Sequence, residues 1–286
     1  NAAQNPVPVL VGGLLVVNST DDNVRAGNVV KSLRGVLFQV PFPRSSYTYG
    51  VQPISHGDLE IDASINPRPS APTLTDGQFN VTSTNLLNFF VDFDGRGAEN
   101  QLEFDRQRAK LLTALSALNS DIYGVLELEN TDDAVSELLS ALNGRLPGRT
   151  FQAASLLTNE TTGTDAIRSD IVFDSNLFTA LGVSTLDDTD PAARSILEAT
   201  GTSAIFNGPG TSRVPIAITL ETKVSKESVT VVALHLKSKG GTITSGPNAD
   251  RRDGAGRFNK IRLLAVQALT KWLESSPTGL PTANHS

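Results

Sequence analysis

The chain of 286 residues contains no cysteine and no methionine. Without thiols there is no disulfide framework, no thiolate zinc site and no cysteine nucleophile, so stability must come from burial and any metal must sit on oxygen or imidazole. With no methionine the chain opens on Asn1, and an upstream segment, such as a cleaved secretion leader, is expected. Long apolar runs are missing as well. The nearest, Val7 to Val17, is broken by Gly12 and Gly13, well short of the roughly 18 residues that a membrane helix needs. Nor is there an overall excess of positive charge: the net charge of −6 excludes a generally basic coat for nucleic acid and makes any polyanion site a local one. Sequons begin at Asn18, Asn80, Asn159 and Asn284. Chance alone delivers roughly 3.5 in a chain this rich in Asn, Ser and Thr, so they do not bear on glycosylation.

What is present suits an α/β protein. Hydrophobic residues make up 39% of the chain and the mean hydropathy is −0.10, enough for one large core or for a core with a small accessory domain. Residues 1–65 are rich in Val and lack helical periodicity, with strand-like runs at Pro8–Val17 and Gly35–Val40 and turn residues around Asp21, Asn23 and Gly27. They read as a small β-rich unit. Three prolines between Asn66 and Pro72 favour extended backbone, which marks residues 66–78 as a linker. From 79 to 286 strand and helix patterns alternate. Strands are expected at 81–90, 122–128, 150–156, 168–174, 215–222 and 228–236. Helices are expected at 101–119, at 131–143 with Thr131 as N-cap and Gly144 as stop, and near 257–274.

Polar residues at the ends of buried strands carry the chemical information, because the strand fixes the side chain while its end stays open to solvent. Three strands end this way, at Thr84 to Asn88, at Glu127 to Asn130 and at His235 to Gly240. Strand alternation puts Glu127 on one face with Val125 and Glu129. A carboxylate there must be paired or must hold a cation, and an ordinary salt bridge explains it as well as a metal does. Between His235 and Arg262 there are seven Lys and Arg against two Asp, a balance of +5 in an acidic chain. Such a cluster suits phosphates, although a solvated loop and helix face would look the same.

In order along the chain, these motifs resemble the secreted bacterial nuclease branch of the endonuclease/exonuclease/phosphatase superfamily, whose fold is that of deoxyribonuclease I. The resemblance runs through residues 66–88, Arg96–Ala98, the Arg108-Ala-Lys110 helix start, Asp121–Asn130, Gly163–Ile167, Ser212–Pro215, His235–Gly240, and Asp253–Gly256 with Asn259 and Arg262. It implies two packed mixed β-sheets flanked by helices, preceded by the small β unit, over residues 79–286. It implies hydrolysis of a phosphodiester in extracellular DNA or RNA with a divalent cation, magnesium first, with calcium and manganese as alternatives. Glu127 would be the metal's carboxylate, with Asn85 beside it. Arg213 and His235 would contact the scissile phosphate, and Lys237, Lys239, Asn259 and Arg262 would hold the substrate strand.

The pattern also has departures. Phe173-Asp174 stands where the family has Tyr-Arg, Leu234 replaces an Asn, and Arg257 replaces a Cys. The family's closing Gly-Asp-Phe/Leu-Asn and Ser-Asp-His segments do not occur before Ser286. The expectation is therefore of activity completed in a longer parent chain, with an open sheet edge covered by that continuation or by another chain. Two other readings stand beside this one: a catalytically inactive surface protein that reuses the fold, and a phosphatase or phospholipase of the same superfamily.

Overall fold

A computed structural model of the chain describes residues 10–11, 27–42, 46–67, 77, 79–93 and 95–279. All but two residues of the expected Pro8–Val17 strand, and most of the proline-rich stretch, lie outside these. The chain divides into two compact units, Asn1–Leu74 and Thr75–Ser286. In the first, β1 (Leu10–Val11) runs parallel to β4 (Ser46–Gln52), which pairs antiparallel with β3 (Val36–Phe42); β2 (Val29–Leu33) and β5 (Leu59–Asp62) form a separate antiparallel pair.

In the second unit the chain order is β6 (Val81–Phe89), α1 (Gln101–Leu118), β7 (Ile122–Glu129), α2 (Asp132–Arg145), β8 (Phe151–Ala153), β9 (Ile167–Asp174), β10 (Phe178–Thr185), α3 (Pro191–Thr200), β11 (Ile216–Thr222), β12 (Ser228–Ala233) and α4 (Asn259–Glu274). One sheet has the order β6-β7-β9-β8, with β6 and β7 parallel and the other pairs antiparallel; the second, β10-β11-β12, is antiparallel throughout. Among the described residues β12 pairs on one side alone, with β11.

Three apolar clusters define the layers. Ile122, Ile171 and Phe173 of the first sheet meet Phe178, Ile216, Ile218 and Leu220 of the second. Outside the first sheet, Tyr123, Val125 and Leu128 pack under Phe104 and Leu115 of α1 and Val135, Leu138 and Leu142 of α2. Outside the second, Ala217 lies under Ala193 and Ile196 of α3 and Leu264, Ala265, Ala268 and Trp272 of α4. The result is helix, sheet, sheet, helix, the expected α/β class with two packed sheets. Because β9 lies between its sheet partners and under the second sheet, all eight of its residues are buried.

Local chemistry explains the ends of the helices. Asn100 accepts the Glu103 N–H and Thr131 the Ala134 N–H, as N-caps do. The second helix runs one residue past Gly144. Helix α3 was not expected, although it has an Asp190 cap, Pro191 in its first turn and a left-handed Gly201 at its end. Strand β10, also unexpected, is interrupted by a bulge between Ala180 and Gly182. That break spoils the two-residue alternation by which strands are recognised.

Candidate active site

Two adjacent strands are irregular at the same level of the first sheet. Along the β6–β7 ladder Asn85 pairs with Leu126 and Phe89 with Leu128, so β6 carries two extra residues, and its Leu87 and Asn88 have φ of 57° and 53°. Along the β7–β9 ladder Val125 pairs with Asp170 and Leu128 with Arg168, so β7 carries one extra residue. In that bulge Glu127 has φ of 60°. A left-handed conformation costs an L-residue with a Cβ about 1–2 kcal/mol, and strain of this kind collects where function requires it.

The bulge decides which way Glu127 faces. Uninterrupted alternation would carry Tyr123 and Val125 on to Glu127, under the helices. Instead Leu128 occupies that seat in the helix-side core, because one inserted residue exchanges the faces of everything beyond it. The expected face shared by Val125, Glu127 and Glu129 is thereby corrected. The Glu129 carboxylate is buried and accepts N–H bonds from Val91 (2.7 Å) and Asp92 (3.4 Å), which ties down the chain leaving β6. Glu127 reaches across to the second sheet, its Oε1 3.8 Å from Nε2 of His235.

His235 lies two residues beyond β12, where the Arg213 N–H donates to its carbonyl (3.1 Å) and the Lys237 N–H to the Ser212 hydroxyl (3.1 Å). These bonds set Arg213 beside His235. Asp165 Oδ2 is 3.4 Å from Nε of Arg213, and its Oδ1 is 3.6 Å from Nη1 of Arg96, whose Nη2 donates to Asn88 Oδ1 (2.9 Å). The Asp165 loop is in turn held by Asn130, whose side-chain N–H groups donate to the carbonyls of Gly163 and Asp165 at 3.0 Å while its oxygen accepts from the Thr162 hydroxyl at 2.6 Å.

The structure therefore brings Glu127, His235 and Arg213 together, while Asn85 pairs in register with Leu126, the residue before Glu127. Asn85 is exposed, and its Oδ1 accepts the Leu87 N–H (2.7 Å); an amide oxygen has a second lone pair, so this bond fixes the side chain without using it up. Lys237 follows along the strand, its Nζ 5.0 Å from the centre of the Phe258 ring. Lys239, Asn259 and Arg262 belong to the neighbouring loop. Lys239 donates to the Gly254 carbonyl (3.4 Å), and Arg262 to the carbonyls of Lys237 (3.2 Å), Arg257 (2.7 Å) and Ala255 (2.6 Å), with Asn259 Oδ1 at 3.4 Å. Sequence reasoning assigned no role to Asp165, Arg96 or Asn130. All three stand inside the quoted motifs or at a strand end, but only the tertiary structure shows one carboxylate between two arginines.

The cluster is short of negative charge and of acceptors. Nδ1 of His235 and Nε of Arg213 are both buried without a hydrogen-bond partner; the 3.4 Å approach of Asp165 to Arg213 lacks the geometry of one. Orphans of this kind are uncommon in native proteins, and at a cluster of charged groups they leave capacity for water, an ion or a ligand. Burial first, then Arg213, hold the His235 imidazole and the Lys237 ammonium below their ordinary values, against the pull of Asp165 on both and of Glu127 on His235.

A histidine harder to protonate folded than unfolded sends protons to the unfolded chain. Its contribution is present above the ordinary imidazole value of about 6.5 and declines as pH falls below it toward the folded-state value. We expect His235→Gln to flatten the loss of stability as pH falls below about 6.5. Urea melts across that range check this, and an unchanged slope in the variant contradicts it.

No family model and no curated protein matches the chain. It is similar to parts of several solved structures. The human Nocturnin catalytic domain with bound sulfate matches at 19% identity and a TM-score of 0.39, over 68% of this chain and 60% of that one. An endonuclease/exonuclease/phosphatase family protein from Bacteroides thetaiotaomicron matches at 12% identity and a TM-score of 0.44, over 70% and 59%. A mannosyl-6-phosphatase from the same organism matches at 12% and 0.44, over 71% and 61%. The chain spans about 60% of the length of these structures.

Proposed function

We propose that this unit binds and hydrolyses a phosphodiester of nucleic acid at Glu127, His235 and Arg213, in the extracellular setting of the branch its motifs resemble. One observation carries the reading. A glutamate held in a strained left-handed bulge at the end of one sheet faces a histidine from the other, with an arginine bonded to that histidine's backbone beside it, and both the histidine and the arginine keep a buried nitrogen that makes no hydrogen bond. A phosphate oxygen is the acceptor that suits a guanidinium and an imidazole N–H together. The ordered motifs, from residue 66 to Arg262, support the same chemistry.

The donor set also fits a divalent cation. Among the described residues no three His, Cys, Asp or Glu side chains gather as a closed cage, but magnesium is commonly held by one or two carboxylates and completes its shell with water and substrate phosphate. Glu127 would hold it, with the Asn85 amide beside it, and the cation would supply Lewis-acid charge at the phosphoryl oxygen. The chain's own residues do the rest. Arg213 orients the phosphate and neutralises its charge, His235 donates to an oxygen on which charge develops, and Asp165 with Asn130 keeps Arg213 in place.

The test is hydrolysis by the purified full-length protein of DNA and RNA oligonucleotides and of p-nitrophenyl phosphate, each with magnesium and with EDTA. Cleavage of the diesters is expected to exceed that of the monoester and to stop in chelator. A faster monoester reaction would favour the phosphatase reading, and cleavage undiminished by chelator would remove the cation from the mechanism.

A further inference from the structure

Of the seven cations between His235 and Arg262, four are engaged within the protein. Lys237 sits over Phe258, Lys239 donates to the Gly254 carbonyl, Arg257 donates to the Ile243 carbonyl (2.9 Å), and Arg262 gathers its three carbonyls. These bonds shape the loop. The side chains of Arg251, Arg252 and Lys260 meet no carboxylate and no hydrogen-bond acceptor among the described residues. Uncompensated charge of this kind on an acidic chain does not serve solubility, for which acidic residues are the better choice.

Two of the three, Arg251 and Lys260, line one cleft of about 200 Å³ together with Asn259 and Gly256. Asp253 also borders it, with one carboxylate oxygen taken by the Ala255 N–H (2.9 Å). The N-terminus of α4, 16 residues long, opens here; the Asn248 side-chain oxygen takes its Ile261 N–H (3.2 Å), and the remaining positive end adds to the two cations. The cleft is continuous with the active-site strand. Gly256, at φ of 70°, lies so close to Lys239 that a Cβ on it would stand 2.9 Å from the Lys239 side chain. Lys239 is four residues from His235, at most about 14 Å along extended backbone.

The geometry points to a second phosphate subsite in this cleft, which takes a backbone phosphate of a polynucleotide away from the bond being cleaved. The inference rests on the proposed hydrolase reading for the location of that bond, and it makes Arg251 and Lys260 determinants of a preference for long substrates. A polymer that reaches both places is held by two phosphate contacts. A dinucleotide reaches one.

The probe is a 20-nucleotide fluorescein-labelled single-stranded DNA, with binding read by anisotropy in EDTA over a series of salt concentrations. We expect Arg251→Ala/Lys260→Ala to weaken binding about tenfold at low salt and to make the slope of log K against log salt shallower by about 0.7, the value of one phosphate contact on a single strand. With magnesium, the ratio of kcat/KM for the 20-mer to that for a dinucleotide should fall by a similar factor, and Arg251→Lys/Lys260→Arg should restore it. Lys271→Ala, which removes a charge near the other end of the same helix, should leave the ratio unmoved. Equal binding by wild type and double variant, or an equal loss in Lys271→Ala, would overturn the subsite. A full-length wild-type protein that binds through these cations yet cleaves nothing with magnesium would sink the hydrolase reading instead.

Discussion

Replacing Glu127 by glycine is expected to lower phosphoester hydrolysis by about three orders of magnitude while leaving the melting temperature equal to or above that of the wild type. The two halves of this result have one origin. The carboxylate lies 3.8 Å from His235 with its side chain one-fifth exposed, and the backbone that presents it sits at φ of 60°. Glycine adopts that conformation without steric cost, so relief of about 1–2 kcal/mol of strain offsets its greater freedom in the unfolded chain. Glu127→Ala keeps the Cβ and the strain, and should lose activity to the same degree without the thermal gain. Paired melts and rates on the three proteins decide the matter. A clear fall in the melting temperature of Glu127→Gly would mean that the glutamate holds the fold together and is not strained for function.

Arg149→Ala should be the most destabilising single change near the departures in the motif pattern, at about 3–5 kcal/mol. Arg149 Nη1 lies 2.6 Å from Asp121 Oδ1 and 3.3 Å from Asp174 Oδ2, and its Nη2 donates to the Asn119 carbonyl. Asp174 also accepts the N–H groups of Thr150 and Asn176 at 3.1 and 3.0 Å, and Asp121 that of Asn80 at 2.7 Å. Both acids are buried, at 2% and 8% exposure. Removing the guanidinium leaves two carboxylates close together in a poorly solvated place, with only backbone donors to compensate. Denaturant unfolding measures the cost. A loss below about 1 kcal/mol, the range of a surface ion pair, would show that solvent reaches this corner. The same contacts explain why Asp174 can stand where the motif pattern has an arginine: here it joins β9 to the segments before β7 and β8.

The layered architecture was legible because its signals are local. Strands were readable at residues 122–128, as an apolar run, and at 168–174, and the first two and last helices of the second unit show their stripes, with the Thr131 cap, over single windows of sequence. Helix α3 had its start and stop signals in Asp190, Pro191 and Gly201, and it buries Ala193 and Ile196. Ala192 and Leu197 extend the same apolar face, so its signals too were local ones. The candidate residues could be named for the same reason. Glu127, Asn85, Arg213 and His235 stand in short motifs whose order along the chain survives without any knowledge of contacts.

What the sequence determined by itself was therefore the set of chemical groups and the layers that carry them. The direction in which Glu127 points was decided by pairing between strands: a single extra residue between Val125 and Leu128 turns the carboxylate out of the helix-side core and toward His235. Periodicity within one strand has no access to that choice, because the bulge exists only relative to the neighbouring ladder. The same holds for the seven cations after His235. Their number is written in the sequence, but only the folding of residues 237–262 back on themselves directs four of them to internal partners and leaves Arg251 and Lys260 lining an open cleft.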